Sequence, residues 1–231
     1  LERPHGICLV TGPTGSGKTT TLYTALQLLN SPEVKILTVE DPVEYQLLGI
    51  NQVHVKPQIG LTFAHALRSF LRQDPDIIMI GEIRDVETAQ IAVQASLTGH
   101  LVLSTLHTND AASAISRLLD MGVEDYLITA TMTGIVAQRL VRALCPHCRQ
   151  PFRAMPELVA ELNLNRHSSG GEVTLYRSTG CKSCNNTGFR GRTCILEFLP
   201  ITDPVRKLVL KRGDARDIQR AAIEGGMRTM Y

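Results

Sequence analysis

The sequence has no tryptophan, and tyrosine and phenylalanine bring its aromatic share to only 4% of 231 residues. Proteins that grip single-stranded nucleic acid stack bases on aromatic rings, and this chain offers few. No charge of one sign dominates: 24 basic residues against 22 acidic ones give a formal net charge of +2, with the signs interleaved. No nucleic-acid partner is therefore expected. Long apolar runs are missing too. The longest, such as Ile77–Ile80, fall far below the roughly 18 residues of a membrane-spanning helix, which leaves peripheral membrane contact only. The first residues do not read as a signal peptide, and the chain opens at Leu1 rather than Met, directly ahead of an apolar strand. It is expected to be a fragment whose upstream part is missing.

With 43% hydrophobic residues, the chain can bury one large core, or a medium core with a small appendage. The most informative stretch runs from Gly12 to Thr19, Gly-Pro-Thr-Gly-Ser-Gly-Lys-Thr, a complete G-x-x-x-x-G-K-[ST] pattern. An apolar strand, Ile7 to Val10, precedes it and a helix-forming stretch, Thr20 to Leu29, follows. Gly12, Gly15 and Gly17 permit the positive-φ turns that aim successive N–H groups inward, and the helix behind adds its positive end, so the loop can wrap a polyphosphate. Gly12, Pro13, Thr14, Gly15, Ser16, Gly17, Lys18, Thr19 and Thr20 form the expected nucleotide site. Lys18 reaches the β and γ phosphates, and the Thr19 hydroxyl binds Mg²⁺.

Strands at Ile7–Thr11, Val34–Val39, Val53–Val55, Ile77–Ile80 and Leu101–Thr105 alternate with helical patterns at Leu61–Gln73, Val86–Leu97, Asp110–Met121 and Glu124–Leu144. This is the signature of an α/β fold with a parallel sheet covered on both faces, a RecA-like core over residues 1–144. Ligands of such sheets lie beyond the carboxyl ends of the strands. Glu40, Asp41 and Glu44 leave the second strand at that edge, and Glu82 leaves the Ile77–Ile80 strand there, so these acids are expected to converge on one phosphate. Glu82 is placed to orient Mg²⁺, and Glu44 to polarise the attacking water. His107, at the carboxyl end of Leu101–Thr105, can touch the γ-phosphate; His100, at the other end, reads as a packing or subunit-contact residue.

Four of six cysteines form two C-x-x-C knuckles, Cys145/Cys148 and Cys181/Cys184. In an unsecreted chain such pairs read as a tetrahedral Zn²⁺ site, with His147 inside the first knuckle surplus to four thiolates. The gap between them exceeds the usual ribbon spacing of about 15 to 20 residues, so a folded excursion is expected within a zinc-binding subdomain spanning 145–200. Cys8 reads as a small buried hydrophobe and Cys194 is unassigned. A C-terminal helical segment spans 201–231, with Pro204 in a first turn and Gly213 as a stop.

GPTGSGKTT from Gly12, TVEDPVEY from Thr38, LRQDPDIIMIGEIR from Leu71 and TGHLVLSTLH from Thr98 resemble, in order, the Walker A, Asp box, Walker B and His box of the secretion ATPase superfamily. The tetracysteine insert and the following GFRGRTCILE narrow the resemblance to type II secretion ATPases and their relatives, the type IV pilus assembly ATPases. The resemblance covers essentially the whole chain. It implies a hexameric cytoplasmic motor, peripheral at the inner membrane of a Gram-negative bacterium and docked on a platform protein, that uses ATP to extend a pseudopilus and push folded proteins outward. It implies that Lys18 and Thr19 bind phosphate and Mg²⁺, that Glu44 is the catalytic glutamate and Glu82 the Walker B acid, and that His100 and His107 are the two His-box positions. It also implies an upstream domain supplying arginines in trans, without which this stretch would bind ATP yet turn over little and associate weakly. A DNA-uptake or conjugation ATPase of the same fold, and a non-enzymatic nucleotide-gated scaffold, are the alternatives.

Overall fold

A computed structural model describes residues 4–162, 164 and 173–230. Leu1 and Tyr231, the ends of the expected domains, and residues 163 and 165–172 of the expected excursion between the knuckles lie outside the described residues. The chain divides into two compact units, one comprising Leu1–Arg139 with Ile195–Tyr231, the other Leu140–Cys194.

The first unit is built on a sheet of β1 (Gly6–Thr11), β2 (Ile36–Glu40), β3 (Asn51–His54), β4 (Ile77–Ile80), β5 (Leu101–Leu106), β6 (Met132–Leu144) and β9 (Phe189–Pro200). Their order is β3-β2-β4-β5-β1-β6-β9, with β1 parallel to both β5 and β6, and β2 and β4 parallel neighbours further out. The last residues of β6 and the first of β9 belong to the second unit. Because β2, β4 and β5 are buried on both faces, their sequences are continuous apolar or small-residue runs rather than alternating ones, broken only by Glu40 at the end of β2.

Alternate residues of these strands feed two separate cores. Ile7, Leu9, Ile78, Ile80 and Val102 pack with α2 (Phe63–Phe70), α3 (Val86–Leu97), α4 (Ala111–Asp120), α5 (Asp125–Thr131), α7 (Asp203–Leu210) and α8 (Ala215–Glu224). Val10, Ile77, Met79, Leu101 and Leu103 pack with Leu22, Tyr23 and Leu26 of α1 (Lys18–Leu29). The C-terminal helices thus bury Val205, Val209 and Ile218 in the larger core.

One element differs in kind from the sequence reading. The pattern over Glu124–Leu144 predicts a single helix; the structure has the two-turn α5 and then the thirteen-residue strand β6. Thr133, Ile135 and Val136 are β-branched and Gly134 is a poor helix residue, and β1 supplies a parallel partner for this stretch. The long strand β9 is likewise absent from the sequence reading.

In the second unit, β7 (Arg149–Arg153) pairs antiparallel with β8 (Thr174–Ser178), and α6 (Pro156–Glu161) follows β7. Among its described residues, the buried apolar ones are few, chiefly the cysteines themselves with Ala154 and Val159.

Candidate functional site

The turn after β1 carries the sequence expected to form a phosphate loop. Gly12 has φ +148°, and a Cβ there would lie 2.4 Å from the Gln138 carbonyl oxygen and 2.6 Å from Ser16 Oγ. Only glycine fits. Gly17, left-handed at φ 89°, caps α1 with its backbone, so the helix N-terminus opens into the loop with no side chain in the way. The loop is braced from β6: Gln138, almost fully buried, donates through Nε2 to the Ser16 carbonyl at 2.8 Å and accepts from Thr21 Oγ1 at 2.9 Å. The Ser16 hydroxyl is buried without a hydrogen-bond partner, and Lys18 Nζ folds onto the carbonyls of Gly12 (2.9 Å) and Pro13 (3.2 Å). An orphaned hydroxyl, a folded-back ammonium and a cradle that a single Cβ would fill are what a polyphosphate would satisfy. Burial lowers the Lys18 pKa, and the negative charge of Glu82 opposes that shift. Pro13, Thr14 and Gly15 form the exposed lip of the loop and Thr20 is exposed on α1, whereas Thr19, at the helix start, is half-buried.

Strands β4 and β5 deliver Glu82 and His107 to the same edge. Ser104 Oγ donates to the Ile80 carbonyl at 2.9 Å and Thr105 Oγ1 to the Gly81 carbonyl at 2.6 Å, locking the two strand ends together. His107 Nε2 then lies 3.2 Å from Glu82 Oε2. Arg84 pairs with the other Glu82 oxygen and approaches Asp41 at 3.7 Å. The hydrogen bond to Glu82 raises the Arg84 pKa further. Thr11 Oγ1 joins β1 to this edge by donating to the Leu106 carbonyl (3.0 Å) and accepting from the Thr108 N–H (2.9 Å). The two strands enter their following helices by the same device: Asp85 caps α3 by accepting from the Thr88 N–H, and Asp110 caps α4 by accepting from the Ser113 N–H, each at 2.7 Å.

Glu40 does not join the open edge, contrary to the expected convergence of the four acids. Its carboxylate is 3% exposed and both oxygens are occupied, one by the Tyr23 hydroxyl, the other by Thr38 Oγ1 at 2.6 Å and Gln52 Nε2 at 3.1 Å. Asp41 and Glu44 are exposed on the loop that follows. His100 sits at the amino end of β5, with Nδ1 2.8 Å from the Ala95 carbonyl and 3.0 Å from Thr98 Oγ1. Tyr23, Gln52 and Gln138 escape the sequence reading because no motif contains them.

In the second unit the four sulfurs of Cys145, Cys148, Cys181 and Cys184 lie within 4.8 Å of one another. Cys145 to Cys181 and Cys148 to Cys184 are each 3.9 Å, and Cys181 to Cys184 is 3.7 Å. Sulfurs placed tetrahedrally at about 2.3 Å from a zinc ion are about 3.8 Å apart, so these three separations match such a site. Burial alone would raise the Cys184 thiol, but the N–H groups of Cys181 and Gly188, 3.3 and 3.2 Å from its sulfur, together with hydrogen bonds to the Cys181 and Cys148 thiols, bring it down to about 6. Burial pushes Cys148 up to about 11.

The sequence matches the family described as type II/IV secretion system protein along residues 1–231. It is 62% identical over its full length to the type II secretion system protein E of Xanthomonas campestris pv. campestris, of which it covers 41%. It is 54% identical over 230 residues to the type IV pilus assembly ATPase PilB of Myxococcus xanthus, again covering 41%. Its fold is similar to that of the Legionella pneumophila ATPase DotB, with a TM-score of 0.66 and 26% identity, covering 98% of this chain and 54% of that one. The chain thus spans about two fifths of the length of these curated relatives.

Proposed function

Because the chain belongs to the type II/IV secretion system protein family, we propose that it is the nucleotide-hydrolysing core of a hexameric motor that drives pseudopilus assembly and so powers protein export. The carrying observation is the shared sheet edge: the phosphate loop with its unpartnered buried Ser16 hydroxyl, and Glu82 with His107 at the ends of neighbouring parallel strands. The loop N–H groups and Lys18 hold the β and γ phosphates of ATP. Thr19 and Glu82 would hold Mg²⁺, which supplies positive charge against the phosphate oxygens. Glu44 takes a proton from water as its oxygen bonds to the γ-phosphorus and the bond to the ADP oxygen breaks. His107, touching Glu82, is placed to sense loss of the γ-phosphate. Arg84, Arg139 and Arg142 are candidates for charge acting between subunits.

Zn²⁺ held by Cys145, Cys148, Cys181 and Cys184 is proposed as structural, since four thiolates leave no open position for chemistry. No helix among the described residues is long and apolar enough to cross a membrane, which accords with a cytoplasmic motor docked peripherally on an inner-membrane platform protein. A pilus-assembly role is the second reading, favoured by the similarity to PilB along 230 residues of this chain.

Glu44→Gln and Lys18→Ala, assayed in the natural protein, test the chemistry. Glu44→Gln should keep ATP affinity and slow turnover by on the order of 10² to 10⁴, while Lys18→Ala should weaken ATP binding and abolish hydrolysis. Near-normal turnover in Glu44→Gln would remove that residue from the role of base.

A further inference from the structure

A carboxylate as buried as that of Glu40 needs a full set of partners, and the partners it has reach beyond it. The Tyr23 phenol, with no exposed surface, donates to Glu40 and accepts from the Glu44 N–H and from Gln52 Nε2, each at 3.3 Å. Gln52, on β3, accepts from the Leu47 N–H at 2.7 Å and donates to the Tyr45 carbonyl at 3.2 Å. The Tyr45 ring meets the Tyr23 ring edge-on, centroids 4.7 Å apart. Three main-chain groups of the loop carrying Glu44 therefore end on two side chains that converge on one buried carboxylate. Tyr23 belongs to α1, the helix that opens from the phosphate loop, one turn beyond Thr19 and on the same face.

We propose that Tyr23 is a positioning residue for hydrolysis, its hydroxyl fixing the Glu44 loop relative to the phosphate-loop helix so that base and γ-phosphate keep a set separation. This rests on the assignment of Glu44 as the base. Burial, with the hydrogen bond to Glu40 adding to it, raises the phenol pKa, so the group stays protonated as a fixed donor. Gln52 supplies the second brace, and the Tyr45 ring packs edge-on against the Tyr23 ring. None of the hydrogen bonds of this network ends on residues 12–19, so its expected effect is on where Glu44 sits rather than on nucleotide affinity.

The test is a double-mutant cycle in the natural protein, with Tyr23→Phe, Glu44→Gln and the pair, reading turnover, ATP affinity and thermal unfolding. Displacing a reacting group by about 1 Å can cost on the order of 10²-fold in rate. Tyr23→Phe, which keeps the ring and its packing, should lower turnover by about 10- to 100-fold and leave ATP affinity within about twofold. In the Glu44→Gln background the same change should alter turnover by less than about twofold, because the group it positions is gone. Gln52→Met should repeat the pattern with a smaller fall. Normal turnover in Tyr23→Phe, or an equal fall in both backgrounds, overturns the proposal. Should Glu44→Gln turn over normally, the base itself is misassigned and the positioning role falls with it; a crippled Glu44→Gln beside an unaffected Tyr23→Phe refutes the positioning role alone.

Discussion

At the phosphate-loop edge the groups that would meet a substrate, Lys18, Glu44 and His107, are half-buried or exposed, while the strands that hold them are almost inaccessible to solvent. In the tetracysteine unit the arrangement is inverted. There the chemically distinctive groups, Cys145, Cys148 and Cys184, are themselves the buried part, and few other described apolar residues of the unit are buried. The first region gets its rigidity from two hydrophobic cores on either face of a parallel sheet and can leave its reactive groups open. In the second, where few described apolar residues are buried, the cysteines take the place of a core, and the zinc proposed for them would join them.

Metal removal should separate the two regions most widely. Structural zinc contributes roughly 10 to 16 kcal/mol of apparent folding free energy in small modules, far more than the packing of Ala154 and Val159 can replace. Chelation, or a Cys181→Ser, Cys184→Ser double substitution, should abolish the bound zinc and raise hydrogen exchange across 140–194. ATP affinity and exchange in β1, β4 and β5 should stay unchanged. One zinc per chain by elemental analysis is the starting point, and protein grown with zinc available yet containing none would break the comparison.

A smaller effect, confined to the other region, is expected from Gly12→Ala. A Cβ at φ +148° would sit 2.4 Å from the Gln138 carbonyl and 2.6 Å from Ser16 Oγ, so the loop must shift. Strain of this kind costs about 1 to 3 kcal/mol, felt as a loss of nucleotide affinity of about 10- to 100-fold in a titration, with zinc content unaltered. Full affinity would mean that the cradle is less constrained than its geometry implies.

How far each region can be read without coordinates follows the same division. The phosphate loop and the strand Ile77–Ile80 are legible because local composition and local structure agree: glycines where φ is positive, β-branched residues where the chain is buried on both faces. The knuckles are legible because thiolate pairs have little other use in such a chain. The stretch from Met132 to Leu144 is misread as helix because its apolar residues fit both periods, and only the neighbouring strand β1 decides between them. Glu40 is misread for a related reason. Its neighbours Asp41 and Glu44 make it look like part of an acidic loop, and its real partners, Tyr23 and Gln52, lie 17 and 12 residues away with no pattern joining them. Gln138, 122 residues from the Ser16 carbonyl it braces, is invisible for the same cause.

The smallest effect sharpens the comparison by asking how local the sheet edge's rigidity is. Glu82 and His107 each leave a strand three residues before an aspartate that caps the next helix, Asp85 for α3 and Asp110 for α4. Asp85 accepts from both the Thr88 N–H (2.7 Å) and the Thr88 hydroxyl (3.1 Å), so Asp85→Ala strips the first turn of α3 of its acceptor. The loss should be about 1 kcal/mol, lowering the unfolding midpoint by about 2 to 4 °C for a domain of this size. Asp85→Asn keeps the hydrogen-bonding oxygen and should recover most of that. If Asp85→Ala and Asp85→Asn fall together, the carboxylate acts through its charge at the helix N-terminus rather than as a cap. Because α3 packs into the larger core of the first unit, its stability should drop while the zinc content and the exchange of 140–194 do not move. A matching drop in both regions would show that the division into an open, core-supported edge and a closed, metal-supported module is not a division in stability.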